Sequence, residues 1–157
     1  MKQRVVLRTF SIVTSLICVA IFVALMFIGN PPQYVQISLA VILVIMLLSG
    51  LFYMPMSVGA NKTAIQINFS LRIKIIPMQD VKSVKICQPT MGAIRICGSS
   101  GFMGYWGWFK ERDLGKYFAY YGRSRDCFLV ELKNGRKYML GCNNATQMVE
   151  HIEGFLR

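Results

Sequence analysis

The sequence predicts a two-helix membrane hairpin followed by a mainly-β domain that closes with one helix. Three observations predict it. Residues 9–28, "TFSIVTSLICVAIFVALMFI", and residues 34–54, "YVQISLAVILVIMLLSGLFYM", run for 20 and 21 residues without a charge. Beyond Met54 apolar residues recur at every second position, and beyond Gly141 the spacing becomes helical.

Each apolar run matches the roughly 20 residues that a helix needs to cross a hydrocarbon core of about 30 Å. A cleaved leader does not fit the first, because the run is too long and no small-residue cleavage site follows it. Between the runs, "GNPPQ" (29–33) leaves room only for a tight external turn. Gly29 and Asn30 tolerate left-handed backbone, while Pro31 and Pro32 cannot continue a helix. The helices therefore form an antiparallel hairpin with both flanks on one side. Residues 1–8 form a basic N-terminus with Lys2, Arg4 and Arg8 and no acid, and the turn is uncharged. The remaining 15 basic residues and all seven acidic ones follow Met54. This asymmetry predicts that both termini are cytoplasmic.

Residues 55–157 are the size of one domain. "AIQINF" places Ile65, Ile67 and Phe69 on one strand face. "LRIKII" places Leu71, Ile73 and Ile75 on one face and Arg72 and Lys74 on the other. Pro77 ends that strand, since proline cannot donate to a ladder. "DVKSVKI", "GAIRIC" and "KYFAYYG" read as further strands. "CFLVELKNGRKYMLG" reads as a hairpin turning at Asn134-Gly135. "NNATQMVEHIEGFLR" spaces Met148, Ile152, Phe155 and Leu156 helically, with Asn143 or Asn144 as N-cap. Seven short strands and a terminal helix predict a seven-stranded antiparallel sandwich or open barrel, capped by that helix.

"GFMGYWGWFKERDLGKYFAYYG" (101–122) is dense in glycine and aromatic residues. It reads as a loop over 101–109 that feeds a strand, with Tyr117, Ala119 and Tyr121 on one face and Phe118 and Tyr120 on the other. Phe102, Tyr105, Trp106, Trp108 and Phe109, with Lys110 and Arg112 beside them, form the candidate contact with a membrane interface or a partner. Tryptophan is favoured at both kinds of surface. The alternative is that these rings fold over an open barrel end.

Three motifs, taken in order, carry a resemblance. "IIPMQDVKSVKI" (75–86) is similar to an I-P-x-x-D-[IV]-x-S-[IV] strand junction. "LKNGRKYML" followed by an Asn-rich link and "MVEHIEGFL" is similar to a closing hairpin and helix. The glycine and aromatic segment resembles a G-x-x-G-[YF]-x-G-x-[FY] stretch before a middle strand. Together they make residues 55–157 resemble the bacterial pleckstrin-homology-like (PH) domain family. The resemblance implies a PH-like fold, a binding scaffold without an assigned ligand, and a bacterial cytoplasmic membrane as its location.

Little in the chain points to catalysis. The one histidine, His151, falls at the edge of the last helix's apolar face. Glu111 and Asp113 flank Arg112 and read as a solvated cluster. Gly101, Gly104 and Gly107 lack the strand-to-helix setting of a dinucleotide loop. Cys18 lies in the first apolar run, and Cys87, Cys97, Cys127 and Cys142 have no metal-binding spacing and read as small buried residues. No enzyme activity, cofactor or metal is expected. The domain carries +8 (15 basic less 7 acidic), spread over alternating strand positions. The nearest polyanion is the cytoplasmic leaflet, so nucleic acid is not an expected partner. The expected function is a membrane-anchored, non-catalytic module engaging a protein partner or anionic lipid headgroups. The alternative is an accessory subunit whose domain serves as a structural platform in a larger membrane complex.

Overall fold

The computed structural model describes residues 1–90 and 92–156. Helices α1 (Thr9–Phe27) and α2 (Gln33–Tyr53) are antiparallel, and each is long and apolar enough to cross a membrane. Gly29 and Asn30 turn the chain with φ of 77° and 46°. Hydroxyls inside the apolar runs bond back to the preceding turn, as from Thr14 Oγ1 to the Phe10 carbonyl at 2.8 Å. That satisfies the polar group within its own helix. The buried helix positions are Ser11 and Gly50, both at the base of the hairpin.

Two sheets stack below this base. The first runs β1 (Lys2–Arg4), β2 (Pro55–Ala60), β3 (Ala64–Phe69), β4 (Ile73–Pro77) in that order. The second contains β5 (Val81–Ile86), β6 (Ile94–Gly101), β7 (Gly104–Glu111), β8 (Gly115–Tyr121), β9 (Cys127–Leu132) and β10 (Lys137–Gly141). Its order is β5-β9-β10-β8-β7-β6. The sheets form a sandwich and do not close into a barrel. β8 and β10 run parallel, unlike the all-antiparallel pairing expected. Helix α3 (Ala145–Leu156) covers the open side through Met148 and Ile152, both fully buried. These residues join Val58, Ile65, Ile67, Phe128, Val130 and Leu140 in the main core. Each such side chain contributes about 1.5–3 kcal/mol of hydrophobic burial.

Ten strands are present among the described residues, three more than the sequence pattern suggests. The N-terminal eight residues are not a free basic tail: Lys2–Arg4 pairs antiparallel with β2. Strand β1 precedes α1, and its partner β2 follows α2. The chain therefore enters and leaves the hairpin at the same end.

The apolar face of β4 points outward. Leu71, Ile73 and Ile75 are 57%, 61% and 60% exposed. Register explains this: Ile65 lies opposite Ile76, and Ile67 opposite Lys74. Directly opposed residues share a face, so the inward row is Ile76, Lys74 and Arg72. Aromatic rings accept the two cations. Lys74 Nζ lies 4.2 Å from the Tyr138 ring centre and 5.4 Å from that of Tyr120. Desolvated contacts of this type favour burial of a cation by roughly 1–2 kcal/mol.

The second sheet has a smaller core on its other face, built on Phe109, Tyr117, Ala119, Tyr121, Cys127 and Met139. Glu111 is buried there, 4% exposed, and is not part of a solvated cluster. The Tyr117 phenol donates to one carboxylate oxygen, and the Thr90 hydroxyl donates to the other at 3.0 Å. Burial, and then the hydrogen bond to Glu111, push the Tyr117 phenol well above its ordinary pKa. Cys127 and Cys142 are buried as expected, but Cys97 is exposed.

Candidate functional site

The glycine and aromatic segment is not a loop. Residues 104–111 form β7, hydrogen-bonded to β6 on one side and β8 on the other. Gly98 and Gly107 face each other with φ of 126° and 122°. A Cβ on Gly107 would lie 2.6 Å from the Gly98 Cα. Only glycine allows the two backbones this approach in that conformation.

The tight turn of this hairpin is Phe102-Met103, with Met103 at φ 51°. It docks on the apolar hairpin. The Met103 amide donates to Ser15 Oγ of α1 at 2.8 Å. On α2, Gly50 leaves the space: a Cβ there would lie 3.2 Å from Phe102 Cε1 and 3.3 Å from Met103 Cγ. Ser15 is the seventh residue of α1, which puts the tip about 9 Å along the helix at 1.5 Å per residue. Small residues on helices are where backbones or tips can come close.

A second attachment lies at the end of α2. Tyr53 stacks on Trp106 with ring centres 4.9 Å apart and 12° between planes. The Arg72 guanidinium sits 4.4 Å from the Tyr53 ring centre and 4.7 Å from that of Phe69. Arg72 Nε donates to the Phe52 carbonyl at 3.0 Å. A cation at a helix C-terminus meets the unsatisfied carbonyls and the negative end of the dipole.

The third attachment is the segment leading into α1. The Val5 amide donates to the Met56 carbonyl at 2.9 Å, and the Asn143 amide donates to the Arg4 carbonyl at 3.0 Å. Gly122, at the end of β8, crosses this segment so closely that a Cβ would stand 2.9 Å from the Val6 carbonyl carbon. The crossing brings Arg123 and Arg125 beside Arg8. With Thr9 and Ser124 they line a cleft of about 390 Å³ at the first residue of α1.

The residues singled out from sequence do not form one continuous patch. Alternation along β7 divides them. Phe109 is 3% exposed and belongs to the smaller core, stacked with Tyr117 at 6.1 Å. Tyr105 stacks on Tyr121 at 4.9 Å, on the same face. Trp106 and Trp108 lie on the opposite face and are half-buried. Trp108 packs edge-on against Phe118, with Lys116 Nζ 4.8 Å from its ring centre. Phe102 is half-buried near the helices, while Lys110 and Arg112 are exposed. Sequence reasoning missed Ser15, Gly50, Arg72, Arg123 and Arg125. The signal for Gly50 and Ser15 was present, as small residues in otherwise bulky apolar runs.

An apolar hairpin tied at three points to a two-sheet sandwich with a capping helix fits a hairpin anchor followed by a PH-like domain. The chain belongs to the Bacterial PH domain family, whose model matches residues 56–155. The match spans the sandwich from β2 to α3 and leaves the hairpin outside. No curated protein and no solved structure matches the chain.

Proposed function

We propose that this protein is a membrane-anchored, non-catalytic binding module whose PH domain engages anionic lipid headgroups on the cytoplasmic surface of its own bacterial membrane. One observation supports it most: Arg8, Arg123 and Arg125 gather where α1 begins. In this reading the hairpin spans the bilayer with both termini cytoplasmic, and this level is the headgroup region. Each basic residue near an anionic leaflet contributes about 1 kcal/mol. Three give roughly 3 kcal/mol, which is weaker than millimolar for a free domain. The hairpin already holds the domain at this level, so the attraction adds to its seating on the headgroups and does not have to recruit it.

Reconstitution of the full chain in nanodiscs of neutral or anionic lipid tests this reading through amide hydrogen exchange. Amides of residues 5–9 and 122–126 are expected to exchange more slowly in anionic discs, with the difference shrinking as salt is raised. Identical exchange in both lipids would reject it.

A second reading, an accessory subunit docking a protein partner, is favoured by Leu71, Ile73 and Ile75, which are exposed along and just before the edge strand β4. A free edge with an apolar row suits addition of a partner strand. Stoichiometric co-purification of another protein in mild detergent, lost in Ile73→Lys, would favour it. Purification of the chain alone from its own membrane would count against it.

A further inference from the structure

We infer that the cleft between Arg8, Arg123 and Arg125 is a discrete site for the phosphate group of a membrane phospholipid. This deepens the membrane-surface reading and stands on it: that reading requires only charge, whereas a site requires geometry. Three features give the cleft geometry. Its cations come from two parts of the chain distant in sequence, and the backbone crossing of Gly122 over Val6 and Leu7 holds them together. The chain is braced on both sides of that crossing: the Cys127 thiol donates to the Arg123 carbonyl at 3.1 Å, and the Asn143 amide bonds the Arg4 carbonyl. The walls add two hydroxyls, Thr9 and Ser124, to the three guanidinium groups.

Charge within the cleft is mostly uncompensated. Asp126 is the one acidic neighbour in an ion pair, and it reaches Arg125 Nε only at 3.8 Å. Among the described residues neither Arg8 nor Arg123 has an ion pair. Arginine presents a planar fork of donors that matches two phosphate oxygens at once, and hydroxyls suit the remaining oxygens. The position selects the source of the phosphate. Thr9 is the first residue of the apolar helix, so a phosphate held there has its acyl chains alongside α1. The volume of about 390 Å³ admits the phosphate together with its glycerol ester.

The test is native mass spectrometry of the full chain in non-ionic detergent, titrated with phosphatidylglycerol, with oleate, or with inorganic phosphate. Oleate carries the same charge on a carboxylate without a phosphate. Wild type is expected to retain one phosphatidylglycerol in preference to oleate. Arg8→Ala and Arg123→Ala should each weaken retention about tenfold. Arg125→Ala should weaken it likewise, and its side chain, 73% exposed, is unneeded for folding. Equal retention of oleate and phosphatidylglycerol, weakened alike in the three variants, would overturn the site and leave the charge reading standing. Binding of inorganic phosphate that phosphatidylglycerol does not displace would overturn the lipid as its source. Retention of neither anionic lipid, together with unchanged exchange in anionic nanodiscs, would overturn both readings.

Discussion

Arg72 is the residue through which the β domain grips the end of α2, and its removal has a calculable cost. In Arg72→Met the apolar stem stays and the guanidinium goes. The lost contacts are a charge-assisted hydrogen bond to the Phe52 carbonyl at 3.0 Å and two ring contacts at 4.4 and 4.7 Å. The hydrogen bond contributes about 1.5–3 kcal/mol and each ring contact about 0.5–1 kcal/mol. Relief of the cation's desolvation offsets part of this, and one terminal nitrogen, Nη2, is buried without a hydrogen-bond partner. The net loss is about 2–3 kcal/mol. For a sandwich of this size that corresponds to a fall in Tm of roughly 10–20 °C. The assay is thermal unfolding of the detergent-solubilised full chain followed by tryptophan fluorescence, with Arg136→Met in the exposed β9–β10 turn as reference. Trp106 stacks on the same Tyr53 ring, so its emission should also shift in the native state. A melting curve for Arg72→Met that superimposes on that of Arg136→Met would show that Arg72 does not hold the domain to α2.

Four further outcomes are expected. Gly107→Ala should destabilise by about 3–5 kcal/mol, from positive-φ strain plus the collision with Gly98. Gly115→Ala, at φ 72° with nothing within 4 Å, should cost only about 1–2 kcal/mol; equal losses in denaturant titrations would contradict the close approach. Phe109→Ala should cost about 3–5 kcal/mol as a core deletion, against under about 1 kcal/mol for Arg112→Ala. Burial raises the phenols of Tyr117 and Tyr121, and that of Tyr120 to about 12, from an ordinary value near 10. A neutral form favoured by folding stabilises fully below the unfolded value and less as pH rises through the folded one. Stability should therefore fall from about pH 10 upward, with phenol ionisation followed by ultraviolet absorbance lagging in the folded protein. Maleimide should modify exposed Cys97 well before Cys127 and Cys142, whose thiols burial pushes up, to about 11 for Cys142; simultaneous labelling would contradict the packing.

The hairpin, the β9–β10 turn and the terminal helix were legible because each has a local cause. Charge-free runs, Asn134-Gly135 and helical spacing act within a few residues. The Asn134 side chain accepts from the Arg136 amide at 3.0 Å, and Gly135 sits at φ 80°, as that dipeptide suggests. The alternation of Tyr117, Ala119 and Tyr121 against Phe118 and Tyr120 was legible for the same reason. For β4 alternation gives a period but not which face is inward. Ile73 and Ile75 face outward only because Ile65 and Ile67 on the neighbouring strand fix the register. β7 was hidden by glycines that normally signal a loop. Here they serve a close backbone approach, visible only once Gly98 and Gly107 are opposed. β1 and β2 were hidden by brevity and by proline and small residues. The arginine cleft had no local signal, since Arg8 and Arg123 meet only through the crossing at Gly122.

The β domain is fixed on the base of its apolar hairpin, with the β6–β7 tip against α1 and α2. Cross-linking of paired thiols with a short bismaleimide in native membranes is the decisive measurement. The chain would carry Ser15→Cys and Met103→Cys, with Cys18 and Cys97 replaced by serine. The Met103 amide donates to Ser15 Oγ at 2.8 Å, which makes the two positions direct neighbours, within the span of such a reagent. Rapid intramolecular cross-linking is expected, with none when Gly135→Cys takes the place of Met103→Cys. Failure of the 15–103 pair to cross-link in a folded, membrane-inserted protein would contradict the account.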